Sequence, residues 1–201
     1  VLVGRPSVIE ARIQRLCLRL KPGIDFELCN IENDPRFKDY WSLYHELKQR
    51  DGVTPDSAKQ IVRSRATVIA ALMLRRGEAD GMICGLVGRY HKKLGYLRGI
   101  IPLDEGLTAM SAMSAVFNER GVFFFLDTHV ALDPDAERIA ASAAQAALRL
   151  KLFGITPKIA ILSHSNFGSH EDVSSIKMRR VVELLRERLP KVEIEGEMHA
   201  D

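Results

Sequence analysis

KIAILSHSNFGS, residues 158–169, decides the fold class. The run Ile159, Ala160, Ile161, Leu162 has the continuity of a strand buried on both faces. It stops at Ser163, His164, Ser165 and Asn166, passes through Phe167-Gly168-Ser169, and enters an amphipathic helical pattern that ends near Leu189. A buried strand that runs into a polar loop and then a helix N-terminus is the repeating unit of α/β proteins. Ligands gather where such a strand ends.

The same arrangement recurs twice upstream. Residues 79–85, ADGMICG, read as a buried strand that leads into a basic loop, Gly88, Arg89, Tyr90, His91, Lys92 and Lys93, and then a helix to about Ile101. Residues 121–126, GVFFFL, read as a near-continuous buried strand that ends in Asp127-Thr128-His129. Asp133 then has the character of an N-cap and Pro134 of a first helical residue, ahead of an alanine-rich helix that stops at Gly154. The remaining segments fit the same scheme. They are a short strand over 1–4, a helix from Pro6 to about Leu18, a strand over 26–31 and a helix over 36–50. Thr54-Pro55-Asp56 opens one long helix to Arg76, with Gly77 as its stop, and 192–194 form a last strand after Pro190. Strands alternate with helices throughout, so the fold class is α/β with mostly parallel sheets flanked by helices. The break at 102–106 divides it into two lobes, 1–103 and 104–201.

Composition narrows the function. An apolar fraction of 46% in 201 residues is enough for a substantial core. A net charge of +3, with 6% aromatic residues, leaves no electrostatic footprint for nucleic acid. The longest apolar run, 66–74, is too short to span a bilayer, so no membrane association is expected. Cys17, Cys29 and Cys84 are far apart and odd in number, which fits a reducing, cytoplasmic setting rather than a disulfide framework or a zinc cluster. The start at Val1 and the end just past a strand-like run suggest a piece of a longer protein.

The loops over 86–93, 127–133 and 163–170 hold four of the six histidines, His91, His129, His164 and His170. Together with Arg89, Lys92, loop hydroxyls and helix N-terminal amides they suggest a site for an anionic ligand. Loops are also polar by default, and that reading stays open for the first two. Asp127, His129, His164 and His170 lack a recognised metal-ligand spacing, so no metal is expected. Ser163 and His164 are neighbours on a strand end and point opposite ways, and Gly-x-Ser-x-Gly, Gly-x-Gly-x-x-Gly and Walker patterns are absent. No catalytic residue is assigned. Cys84 reads as core, Tyr40, Trp41 and Tyr44 as one face of a helix, and Arg75-Arg76 and Arg179-Arg180 as solvated or helix-end cations.

Four strings in this order carry a resemblance: residues 79–85, ADGMICG; 127–130 with Asp133-Pro134; 159–169, IAILSHSNFGS; and 195–201, EGEMHAD. They are similar to the phosphotransacetylase (phosphate acetyl/butyryltransferase) family, and most closely to the phosphotransacetylase-like C-terminal domain of large bacterial NADP-dependent malic enzymes. The resemblance covers essentially the whole chain. It implies two α/β lobes of the isocitrate/isopropylmalate dehydrogenase-like kind with a cleft between them, a homodimer, and acetyl-CoA as a regulatory ligand. It also implies that Arg98 is the counterpart of a phosphate-holding arginine. The ligand-binding set it supports is Arg89, Lys92, Arg98, Ser163, His164, Ser165 and Asn166. Transacetylases carry hydroxyl residues where this chain has Arg89-Tyr90-His91-Lys92-Lys93, and they carry a later Ser-Arg-Gly segment that has no counterpart here. The resemblance therefore implies regulation of malate decarboxylation, with NADP and Mg or Mn held in upstream domains. Phosphate acetyltransferase activity is the alternative.

Overall fold

A computed structural model describes residues 1–85, 87–105, 107–127 and 129–200. Leu86 at the head of the basic loop, Gly106 in the break between lobes, Thr128 between Asp127 and His129, and Asp201 in the last string lie outside the described residues. The chain divides into two compact units, Val1–Pro102 and Leu103–Asp201, and each holds its own hydrophobic cluster.

The first unit contains β1 (Leu2–Gly4), α1 (Pro6–Arg15), β2 (Leu28–Asn30), α2 (Phe37–Lys48), a 3-10 turn (Gln49–Asp51), α3 (Pro55–Ser64), α4 (Ala66–Arg75) and α5 (Tyr90–Arg98). β1 and β2 pair in parallel, Leu2 opposite Leu28 and Gly4 opposite Asn30. The core is mostly helical, with Tyr40 and Tyr44 of α2, Val62 of α3, and Val68, Ile69 and Leu72 of α4. The apolar face read on the 36–50 helix is thus buried, and the Tyr40 hydroxyl keeps a partner by donating to Glu78 Oε2 at 2.7 Å.

Four expectations fail in this unit. The long helix from Thr54 to Arg76 is two helices, broken at Arg65, whose φ of −138° and ψ of 94° are extended. Its start is as read: the Thr54 side chain accepts from the Ser57 N–H. α3 buries Ala58 and Val62 and α4 buries Val68, Ile69, Ala71, Leu72 and Met73, so the two helices meet one core on either side of the break. Residues 79–85 form no strand, and Ile83 is fully exposed. An apolar run becomes a strand where an edge accepts its backbone N–H and C=O groups, and among the described residues it pairs with none. Cys84 is accordingly exposed rather than core. Finally, Tyr90 to Lys93 are the first turn of α5 and not a loop.

The second unit contains β3 (Met113–Asn118), β4 (Gly121–Leu126), α6 (Ala136–Leu152), β5 (Lys158–Leu162), α7 (Val173–Arg188) and β6 (Glu193–Met198). β5 and β6 are parallel, as the opening stretch requires, and α6 and α7 pack on one another through Ala140, Ala143, Val181 and Leu185. The run 121–126 is a strand, but it is one arm of an antiparallel hairpin with β3. Phe117 is 76% exposed and Phe123 45%. The sequence reading assigned no strand to 113–118, and the Glu119-Arg120 turn carries no Asn-Gly or Asp-Gly signature of a tight hairpin. The N-cap of α6 is Asp135, which accepts from the Arg138 N–H at 2.8 Å. Asp133 lies outside the helix and accepts from Lys177 Nζ at 2.5 Å instead.

Burial pushes the Cys29 thiol up to about 12, and a hydrogen bond to Asp34 adds to this, while Cys17 and Cys84 are exposed. A thiol reagent at neutral pH should therefore label Cys17 and Cys84 in the native chain and Cys29 after unfolding. Mass spectrometry that finds Cys29 labelled as fast as the other two would contradict this packing.

Candidate functional site

The two units each present one cluster of the residues singled out above. In the first, a cavity of about 300 Å³ is lined by Ser64, Arg65, Ala66, Thr67, Gly88, Arg89, Lys92, Lys93 and Tyr96. Its geometry follows from the break at Arg65. Because α3 ends there, α4 begins a new N-terminus, and the N-terminus of α5 lies beside it, with Arg65 and Arg89 as the two N-cap residues. Neither cap supplies a side-chain acceptor, although the Val68 N–H of α4 reaches the Arg65 carbonyl. Both ends carry the partial positive charge of a helix dipole.

Arg65 lies over the Tyr96 ring, its guanidinium carbon 5.0 Å from the centroid, and its Nε has neither solvent contact nor a hydrogen-bond partner. Lys93 Nζ donates to the Gly85 carbonyl at 2.5 Å. No carboxylate lines the cavity. Among the described residues none of Arg65, Arg89, Lys92 and Lys93 makes an ion pair, although the unit has many others. The cavity thus brings together the predicted Arg89 and Lys92. It excludes Arg98, which is exposed in the last turn of the same helix, roughly 12 Å further along its axis. Arg65, Ser64, Thr67 and Lys93 are residues that the sequence reading missed, since a continuous helix through 65 hides the second N-terminus.

In the second unit the segment after β5 folds around a buried carboxylate. The β5–β6 register passes from Ile161 opposite Gly196 to Leu162 opposite Met198, so Glu197 is the extra residue of a bulge. A bulge re-aims a side chain, and here Glu197 turns inward to 1% exposure. Its Oε1 accepts from Ser165 Oγ at 2.7 Å and from the Gly168 N–H at 2.8 Å, with Arg179 Nη1 at 3.7 Å. Oε2 is buried without a partner. Burial pushes the Glu197 carboxyl up, but the Gly168 N–H, the Ser165 hydroxyl and Arg179 outweigh it and hold it below its usual range. Gly196 has φ +133°, and a Cβ there would lie 2.6 Å from the Ile161 carbonyl oxygen, so the bulge requires glycine.

The four predicted residues of this loop are used internally. Ser163 Oγ accepts from the Ser165 N–H, and Ser165 is fully buried. Asn166 Oδ1 accepts from the His199 N–H at 2.7 Å. His164 Nε2 lies 2.8 Å from Asp172 Oδ2, with its ring exposed to solvent. Asp172 also caps α7, accepting from the Ser174 and Ser175 N–H groups, so a carboxylate already occupies that helix end. The Ser175 hydroxyl, the Ser175 N–H and His164 hold the Asp172 carboxyl far below its usual range. Arg179, read as a helix-surface cation, instead ties Glu171, the His170 carbonyl and Glu197 together. Among the described residues no group of three His, Cys, Asp or Glu side chains is placed to hold a metal, and no helix is long and apolar enough to cross a membrane.

A mixed α/β chain with small parallel sheets and a strand-end loop braced by a bulged glutamate has the fold of the phosphotransacetylases. A Streptococcus pyogenes phosphotransacetylase structure matches it with TM-score 0.83 and 23% identity over 99% of this chain and 60% of its own. The chain belongs to the phosphate acetyl/butaryl transferase family, whose model matches residues 1–201. It is similar to the NADP-dependent malic enzyme of Escherichia coli (48% identical) and the NAD-dependent malic enzyme of Rhizobium meliloti (47% identical), each over all 201 residues. It spans 26% of the length of each of those enzymes.

Glu197 sets an acid limit on this loop. Its folded pKa is depressed, so its contribution to stability is complete above the unfolded value of about 4.3 and is lost as pH falls toward the folded value. Glu197→Gln, which keeps an acceptor but no charge, should flatten the stability–pH profile between about pH 5 and 3. Glu197→Ala should cost about 3 kcal/mol in denaturant unfolding, because it strands Ser165 and the Gly168 N–H. An unaltered acid limb in the Gln variant would show that the charge is not what holds the loop.

Proposed function

We propose that this chain is the acetyl-CoA-sensing, phosphotransacetylase-like module of a malic enzyme. The parent enzyme would oxidise malate with NADP to pyruvate and CO2 at a site in upstream domains that also hold Mg or Mn, in a cytoplasmic homodimer or larger oligomer. Binding of acetyl-CoA to this module would inhibit that distant site. The observation that carries the reading is the cavity at the N-termini of α4 and α5, where Arg89 and Lys92 stand without carboxylate partners. The high identity to malic enzymes over the whole chain supports the choice of parent. Cations beside open helix N-termini suit the phosphates of a CoA ester.

In the second unit His164 and Asn166 are the candidate ligand contacts, through an exposed ring and a free amide nitrogen. Ser163 and Ser165 support them from below. Inhibition requires that acetyl-CoA bind one state of the parent enzyme better than another, and malate turnover then falls by that differential affinity. The family match favours a second reading, phosphate acetyltransferase activity, in which the same cations would stabilise charge on acetyl phosphate. Release of CoA thiol from acetyl-CoA in the presence of phosphate distinguishes the two; robust turnover favours the transferase.

On the sensing reading, acetyl-CoA inhibits the full-length malic enzyme, and Arg89→Gln or Lys92→Gln moves the inhibition curve to about tenfold higher concentration, ~1.4 kcal/mol per lost charge contact. Arg98→Gln, at the other end of α5, moves it little. Superimposable curves for wild type and both cavity variants would remove the site from the proposal.

A further inference from the structure

The β3–β4 hairpin is apolar on both faces. The pairs Met113–Leu126, Ala115–Phe124 and Phe117–Val122 line one face, and Ser114–Phe125 and Val116–Phe123 line the other. The core of the second unit takes up Leu126 at the base of the hairpin. Further out, Phe117 and Val122 are exposed on the first face, and Val116, Phe123 and Phe125 are exposed on the second. A two-stranded hairpin is marginally stable in water, and apolar side chains on both of its faces call for cover.

The edges are as open as the faces. Among the described residues neither strand has a further neighbour. β4 is the strand that packs on α6, which leaves β3 as the outer edge. A free edge is normally protected by lysine, proline or a bulge. β3 reads MSAVFN, without charge or proline, and it pairs with β4 without a bulge from Met113 to Asn118. β4, GVFFFL, is equally uncharged, and the charged Glu119 and Arg120 are confined to the turn.

Two features select the occupant. A two-fold axis brings the same patch together from both copies, so a charged strand repels itself there and an uncharged one does not. The size also fits. At ~200 Å² for a whole phenylalanine, Phe117, Phe123 and Phe125 together leave roughly 300 Å² in solvent. Met113, Val116 and Val122 raise the apolar patch to about 500 Å² per copy, which with the β3 backbone approaches the ~800 Å² per partner of a stable interface.

We infer that the β3–β4 hairpin is an interaction surface for a second copy of this chain, with β3 meeting its own copy in antiparallel fashion across a two-fold axis. The inference rests on the proposed homodimer only for the number of copies, and it gives that dimer a location. Its test needs no ligand, so it stands or falls apart from acetyl-CoA sensing.

Analytical ultracentrifugation of the chain over a range of concentrations, paired with hydrogen exchange, provides that test. The chain should dimerise, with an affinity nearly indifferent to KCl because no charge lies in either strand. The β3 amides should gain protection as the dimer forms. Phe117→Asp and Val116→Lys should each weaken dimerisation at least tenfold. Phe117 is 76% exposed, so its variant keeps the core, and unchanged exchange in β5 and β6 checks this. Ile24→Asp, at a 78% exposed apolar residue of the first unit, should leave the dimer intact. A dimer that survives both hairpin variants overturns the surface while keeping the homodimer. Equal weakening by Ile24→Asp reveals unspecific association and also overturns it. A chain that stays monomeric overturns it as well: protected β3 amides would then mean cover from within the chain or, if they exchange fast, no cover at all.

Discussion

Arg65, Arg89, Lys92 and Lys93 repel one another across a small cavity, and the positive ends of α4 and α5 add to the repulsion. No side chain in the cavity wall offsets this cost. Elsewhere in the same unit cations are neutralised at close range: Arg36 meets Asp34, Glu27 and Glu78, and Arg76 meets Glu78 and Asp39. The Arg36 side chain holds Asp34 down to about 2, so that network is fully charged at neutral pH. The contrast separates cations that brace the fold from cations that are left for something else.

The break between α3 and α4 links fold to site. It falls at Arg65, whose backbone is extended between two helices that bury residues in one core. The same break opens a second helix N-terminus beside α5. Core packing by Val68, Ile69 and Leu72 therefore places the donors of the cavity, and Arg65 serves both roles at the junction. The second unit uses the opposite device. A bulge in β6 buries a carboxylate, and the loop after β5 wraps its hydroxyl and amide donors around it. Polar residues that look available in a loop are there committed to holding the loop's shape.

The sequence by itself determined the α/β class, the parallel β5–β6 unit, the helix starts at Pro6 and Pro55, and the identity of Arg89 and Lys92 as members of one basic cluster. These follow from local pattern: continuous apolar runs, cap residues with proline, and charge density over a few positions. The strings that carry the family resemblance are local in the same sense. Tertiary structure decided the rest. Whether residues 79–85 pair depends on an available strand edge, which no local pattern encodes, and Ile83 is left in solvent. Whether GVFFFL is buried depends on what covers it, and its pairing with residues 113–118 leaves Phe117 and Phe123 exposed. Glu197 and Arg179 could not be found from 163–170, because their partners are 29 to 32 residues away for Glu197 and on the far side of a helix cap for Arg179. Arg65 joins Arg89 and Lys92 only once the chain turns at 65. No glycine or proline near 65 marks that turn, so local propensity reads straight through it and only the tertiary structure reveals it.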